Sequence, residues 1–172
     1  INKVNNREQF EDAVNEAFQY DNKIIIEEYI EGREIECSIL GNDDPIASLP
    51  GEILPQDEFY SYDAKYINED GALLEVPAKL PENIAKEVQD CAIQSFKVLC
   101  CEGMARVDLF LKESGEIVMN EINTIPGFTK ISMYPKLWEV SGISYSELIH
   151  RLIQLGIERF NREEKLETSV HI

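Results

Sequence analysis

Arg106, Asp108, Glu121 and Asn123 are the residues whose types and spacing could do chemistry. Met104–Leu111 and Glu116–Asn123 each read as a strand, and Lys112-Glu113-Ser114-Gly115 between them reads as a hairpin turn. With Ser114-Gly115 as a two-residue loop, Asp108 faces Glu121 and Arg106 faces Asn123. A four-residue loop would shift the pairing yet keep all four on one face, because side chains alternate with period two. A three-residue loop with a bulge would break the arrangement. Phe110 and Met119 are then expected on the face of the acids, with Val107, Leu109, Leu111, Val118 and Ile122 filling the other. Opposed carboxylates repel, and a buried acid needs a partner. Mg²⁺ is one candidate, since it takes oxygen ligands, usually one or two carboxylates plus substrate phosphates. Asn123 would add a neutral carbonyl oxygen. Arg106 is the other candidate, neutralising the acids in a structural ion pair. Spacing alone leaves both open.

The elements that must position this hairpin alternate along the chain, without repeats or low-complexity tracts. Asn6 caps a helix carrying Phe10, Val14, Ala17 and Phe18 on one face. Lys23–Ile30 reads as a strand, and a turn at Glu31-Gly32 leads into another over Arg33–Leu40. There Ile35, Cys37 and Ile39 face one way and Glu34, Glu36 and Ser38 the other. A further strand is expected near Ile46–Ile53. Residues 55–71 are polar, aromatic and aperiodic, which predicts a long loop of the kind that usually carries function. Pro81 opens a helix to about Leu99 with Ile84, Val88, Cys91, Ser95 and Leu99 inward and Gly103 just past its end. Ile125-Pro126-Gly127 starts a loop, Lys136–Val140 forms a short helix, and Ser144 with Glu147 makes a capping box. The last helix carries Leu148, Leu152, Leu155 and, near its end, Phe160, before a frayed tail. The class is α+β, with antiparallel sheets and packed helices.

At 172 residues and 44% hydrophobic, the chain can build one core or two small lobes. A formal net charge of −17 argues against gripping a nucleic-acid backbone, which needs clustered Lys and Arg. Cys37, Cys91, Cys100 and Cys101 form no C-x-x-C pair and lack a nearby His, which points to reduced thiols in a cytosolic protein rather than zinc. No apolar run has the length of a membrane span, and no secretory signal is present. No glycine-rich dinucleotide loop or Walker motif occurs. Ile1-Asn2-Lys3-Val4 reads like a strand entered mid-stream, so a fragment of a larger protein is expected.

Five ordered segments then carry a resemblance. They are Glu27–Glu34, Phe59–Tyr66, Arg106–Asp108, Asn120–Thr129 and Ile131–Pro135. In order and spacing, from about residue 1 to about residue 160, they resemble the D-alanine–D-alanine ligase family of the ATP-grasp superfamily. The resemblance implies that Glu27, Glu28, Tyr29 and Ile30 form the hinge that holds adenine, that Glu34 binds the ribose hydroxyls, and that Phe110 joins the nucleotide contacts. It implies that Lys65 neutralises the transferred γ-phosphate and that Tyr66 locks a mobile loop of about 55–71. Asp108, Glu121 and Asn123 become ligands of two Mg²⁺ ions, with Mn²⁺ an alternative. Arg106 and the Gly127 N–H become the oxyanion donors, and Ser132 with the Met133 backbone holds the second substrate's carboxylate.

The same resemblance assigns residues 1–30 to the end of the central lobe and 31–172 to the carboxy-terminal lobe. The family's amino-terminal domain and its phosphate-gripping lysines are not among these residues, so the chain alone is expected to be inactive. The activity implied is ATP-dependent ligation of two D-alanines through an acyl phosphate, for peptidoglycan precursors, in a cytoplasmic homodimer. Alternatives are a D-alanine–D-lactate or D-alanine–D-serine ligase, another ATP-grasp ligase, or a non-enzymatic acidic interaction module.

Overall fold

The structure is a computed structural model that describes residues 1–55, 72–129 and 131–167. In chain order its elements are α1 (Arg7–Ala17), β1 (Arg33–Gly41), β2 (Ile46–Ala47), β3 (Gly51–Pro55), β4 (Ala72–Glu75), α2 (Glu82–Val98), β5 (Gly103–Leu111), β6 (Ile117–Asn123), α3 (Met133–Val140) and α4 (Tyr145–Glu163). The chain divides into two compact units, one holding Ile1–Glu31 and the other Gly32–Leu54 with the chain from Leu73 onward.

In the larger unit, alternation along β1 works as read: Ile35, Cys37 and Ile39 are fully buried on one face. β1 pairs antiparallel with β5 along its length, from Arg33 opposite Leu111 to Gly41 opposite Gly103. The sheet order is β4-β3-β1-β5-β6, with β2 also paired to β1. The strand expected over Ile46–Ile53 is thus two pieces, separated at Pro50, which has no N–H to give to a ladder.

Helix α2 covers one sheet face with Val88, Ala92 and Phe96, against Ile35, Cys37, Ile39, Ala105, Val107, Leu109 and Leu111. The buried stripe sits one position from part of the expected one. Ile84 and Cys91 are only partly buried, and Leu99 is 53% exposed. Leu99 is exposed because the helix ends at Val98. Cys100 takes a left-handed conformation (φ 52°), with its N–H on the Lys97 carbonyl and the Cys101 N–H on the Phe96 carbonyl. Gly103, expected to end the helix, instead opens β5.

Helices α3 and α4 cover part of the other face. Tyr134, Trp138, Ile143 and Leu148 enclose Leu40, and Met104, Phe128, Leu152 and Leu155 pack around them. Ser144 caps α4 as expected, accepting from the Glu147 N–H. Phe160 is 64% exposed, against expectation. Beyond Leu155 the helix is held by ion pairs of Arg159 and Arg162 with Glu102 rather than by apolar packing.

In the smaller unit Asn6 caps α1 through the Gln9 N–H at 3.0 Å. No residue of that helix is buried. Lys23–Ile30 does not form the expected strand, and Ile25 and Ile26 are 81% and 65% exposed. A strand exists only against a neighbour, and no described strand pairs with it. No described helix is long and apolar enough to cross a membrane.

Candidate functional site

The β5–β6 hairpin combines the two features that the sequence reading set against each other. The Lys112 N–H bonds the Glu116 carbonyl, and the Gly115 N–H bonds the Lys112 carbonyl. Glu113, Ser114 and Gly115 therefore make a three-residue loop, with Gly115 at φ 85°. Near the turn, Leu111 opposes Ile117, Phe110 opposes Val118 and Leu109 opposes Met119. A register shift then falls between Asp108 and Leu109, after which Asp108 opposes Glu121, Val107 opposes Ile122 and Arg106 opposes Asn123. Asn120 is the extra residue of this bulge. The expected pairing of the four site residues is present, reached by a different turn. The correction is near the loop: Met119 packs with the α2-side core, and Val118 instead lies opposite Phe110.

Pairing of β1 with β5 extends the acid pair into a row. Glu36 opposes Asp108 and Asp108 opposes Glu121, across three antiparallel strands. The next row is Ser38, Arg106 and Asn123. Asp108 and Glu36 are each 2% exposed, so their charges need compensation. Arg106 supplies it. Its Nε donates to Asp108 Oδ1 and its Nη2 to Asp108 Oδ2, both at 2.7 Å, and Nε lies 3.1 Å from Glu36 Oε2. Burial would lower the guanidinium's pKa, but the bonds to Asp108 and the charges of Glu36, Asp108 and Glu121 outweigh it and raise it. Arg106 is a permanent cation here. Glu36 was placed on the polar face by alternation but given no role, because nothing local in the sequence says that β1 lies beside β5.

At the far end of β6 the chain forms a tight polar loop. Ser132 Oγ accepts from the Thr129 N–H at 3.0 Å and lies 2.8 Å from Thr129 Oγ1. A Cβ at Gly127 would meet that Oγ at 3.0 Å, so the two expected substrate contacts, Gly127 and Ser132, are neighbours. Ser132 is the residue before α3, and Met133 opens the helix, 6% exposed. The N–H groups of a helix start suit a carboxylate. The helix begins three residues earlier than expected.

Glu34 opposes Phe110 in the row beyond the acids. Glu27, Glu28, Tyr29 and Ile30 belong to the smaller unit, where Lys3 Nζ sits 3.5 Å from the Tyr29 ring centroid. Lys65 and Tyr66 lie outside the described residues.

A divalent ion has a partial donor set in Asp108, Glu121 and Asn123. Among the described residues no group of three or more His, Cys, Asp or Glu could hold a metal by itself. Two hard carboxylates and an amide oxygen still fit Mg²⁺, which draws its remaining ligands from phosphate and water. Each Asp108 oxygen bonded to Arg106 keeps a second lone pair. The residues fit the ion.

The geometry defines an α+β lobe with an anionic site built over an antiparallel sheet. The model of the family described as D-ala D-ala ligase C-terminus matches residues 1–154, and the chain belongs to that family. It is 62% identical over 170 residues to the D-alanine–D-alanine ligase of Shouchella clausii (strain KSM-K16), covering 99% of this chain and 46% of that protein. The solved D-alanine–D-alanine ligase from Coxiella burnetii superposes with a TM-score of 0.83 at 44% identity, over 94% of this chain and 42% of that one. The ligase from Bacillus anthracis solved in complex with ATP gives 0.76 at 32% identity, over 94% of this chain and 51% of that one. The chain thus spans about half the length of the curated relatives it matches.

Proposed function

We propose that this chain is the carboxy-terminal part of an ATP-dependent ligase that joins two D-alanines. The observation that carries the reading is the Asp108–Glu121 pair with Arg106 fixed beside it on one sheet face. The carboxylate of the first D-alanine attacks the γ-phosphorus of ATP, releasing ADP and leaving an acyl phosphate. The amine of the second D-alanine then attacks that carbonyl, loses a proton and expels phosphate. Phosphoryl transfer of this kind is mostly positioning and charge neutralisation. Asp108, Glu121 and Asn123 would hold two Mg²⁺ or Mn²⁺ ions, with Glu121 shared; when bound, these neutralise phosphate charge.

Arg106 and the Gly127 N–H donate to the oxyanion of the tetrahedral intermediate, where pre-placed donors count most. Ser132 and the Met133 N–H hold the carboxylate of the second D-alanine. Glu34, Phe110 and residues 27–30 contact the nucleoside, while Lys65 and Tyr66 serve the γ-phosphate and loop. On this reading residues 1–30 close a central lobe and 31–172 form the carboxy-terminal one. The whole protein is a cytoplasmic homodimer supplying peptidoglycan precursors.

The test is phosphate release by the full-length protein on adding D-alanine to ATP and Mg²⁺, with products identified by mass. Release with D-alanyl-D-alanine as product is expected. Incorporation of D-serine or D-lactate in preference would reassign the second substrate, and no amino-acid-dependent release would overturn the reading. The 172-residue chain alone is expected to show no turnover, because the family's phosphate-gripping lysines are not among its residues.

A further inference from the structure

We infer that Glu36 is a positioning residue that holds Arg106 in the orientation needed for the ligation step, an inference that rests on the ligase reading above. The sequence reading gave Glu36 no part in the site. Yet Glu36 stands directly opposite Asp108 on the functional face, 2% exposed, with Oε2 3.1 Å from Arg106 Nε. Two carboxylates on adjacent strands repel unless something binds both. Here the same guanidinium lies against both: Nε donates its one hydrogen to Asp108 at 2.7 Å, and Glu36 Oε2 stands 3.1 Å from Nε as an ion-pair contact rather than a hydrogen bond.

The geometry of that sharing matters for chemistry. Asp108 takes the Nε and Nη2 edge of the fork. A guanidinium is rigid and planar, so fixing one edge aims the remaining nitrogen. Asp108 comes from the same strand as Arg106, two residues on, whereas Glu36 comes from β1 and adds a cross-strand anchor. Asp108 is also assigned to phosphate-bound ions, which would share its oxygens with Arg106. Glu36 has no such second assignment. Its carboxylate therefore braces the guanidinium from β1 while Asp108 serves Arg106 and an ion together.

The neighbouring side chains make Glu36 difficult to dismiss as filler. Gly51 lies opposite it on β3, and a Cβ there would meet Leu137 Cδ2 at 2.8 Å and Met133 Sδ at 3.2 Å. The ground beside Glu36 is thus closed by α3, whose first residue presents the proposed carboxylate-binding N–H. A buried acid between that helix and Arg106 ties both ends of the proposed second-substrate site to one strand.

The experiment uses the full-length protein with Glu36→Gln, Glu36→Met, Arg106→Lys and the doubles. Outer residues that orient an active group typically account for about 10–100-fold in activity. Glu36→Met is expected to lower kcat by about that factor, with KM for ATP and D-alanine within about twofold, and Glu36→Gln to recover part of the loss. If Glu36 acts only through Arg106, adding Glu36→Gln to Arg106→Lys lowers kcat no further. A second readout needs no turnover: the Arg106 Nε–H signal in protein labelled with ¹⁵N-arginine, assigned by its absence in Arg106→Lys. Glu36→Gln should shift that signal and speed its exchange with solvent. An unchanged signal, or multiplicative losses in kcat with Arg106→Lys, overturns the role of Glu36. Should Glu36→Met fail to fold, the Glu36→Gln pair of measurements decides alone. Loss of D-alanine-dependent turnover in the unmutated protein would instead count against the ligase reading and leave the Nε–H test standing.

Discussion

Replacing Arg106 by lysine separates a fixed fork from a mere counter-charge. The fork makes two bonds of 2.7 Å to Asp108 and a third contact of 3.1 Å to Glu36. The Arg106 side chain is 12% exposed and the two carboxylates 3%, so solvent does little to screen the group. Lysine keeps the charge but presents it as a point on a flexible stem and cannot reproduce both Asp108 bonds. One charge-assisted hydrogen bond is then lost, at a cost of about 1.5–3 kcal/mol in stability. Arg106→Met, which removes the charge from two buried acids, should cost about 3–5 kcal/mol. Urea unfolding of the two variants beside the parent gives these values directly. On the proposed ligase reading, Arg106→Lys in the full-length protein should also reduce turnover by about 10²–10³, the scale for losing an oxyanion donor, with ATP affinity unchanged. A lysine variant within about 0.5 kcal/mol of the parent, a difference usual for surface substitutions, would refute the fork. Stability loss with full turnover would leave Arg106 as a structural counter-ion only.

Three other outcomes follow from the same geometry. Glu121→Gln should abolish turnover of the full-length protein yet leave its melting temperature unchanged or raised, because Glu121 is exposed and removing its charge relieves repulsion with Asp108; near-normal activity in Mg²⁺ would count against the metal assignment. Gly127→Ala brings a methyl to 3.0 Å from Ser132 Oγ, which must give by a few tenths of an ångström against its contacts with Thr129. KM for the second D-alanine should rise about tenfold, the equivalent of one hydrogen bond, while KM for ATP holds; steady-state kinetics with each substrate varied will show whether it does. Burial pushes the Cys37 thiol up from 9.0 to about 12. The folded value lies above the unfolded one, so this contribution is complete below pH ~8.5 and is lost as pH rises toward 12, by at most roughly 1.4 kcal/mol per unit. Melting temperatures across the alkaline range should fall more steeply for the parent than for Cys37→Ala, and parallel curves would contradict the assignment.

What could be read from the sequence divides along the range of the forces involved. Caps at Asn6 and Ser144 are local, and both helix starts fell where expected. The alternation of Arg33–Leu40 is also local, and it separated core from polar face correctly. Failures came where a distant partner decides. Lys23–Ile30 has the composition of a strand, but no described strand pairs with it. The α2 stripe was set by the sheet it meets rather than by the helix alone. Glu36 could not be assigned to the site until β1 was known to lie beside β5. Of the motifs that carry the family resemblance, Arg106–Asp108 and Glu121–Asn123 meet on adjacent strands, and Gly127, Thr129 and Ser132 meet in one loop; they were legible because each is continuous in sequence.

The bulge at Asn120 shows how the fold and the site came to depend on one residue. A three-residue loop sets Glu116 opposite Lys112, and that register carried onward would place Asn120 opposite Asp108 and Glu121 opposite Val107. Val107 is fully buried beneath α2, so Glu121 would drive an unpaired carboxylate into the core, while Ile122 would turn out onto the polar face. Inserting one residue reverses both errors at once, returning Ile122 to the core and Glu121 to Asp108. The hydrophobic core thus enforces the acid pair. Carboxylates that repel each other are held opposite because every register separating them by one residue buries one of them without a partner. A repulsion imposed in this way is a standing demand for positive charge, which Arg106 meets with two hydrogen bonds to Asp108 and an ion-pair contact to Glu36.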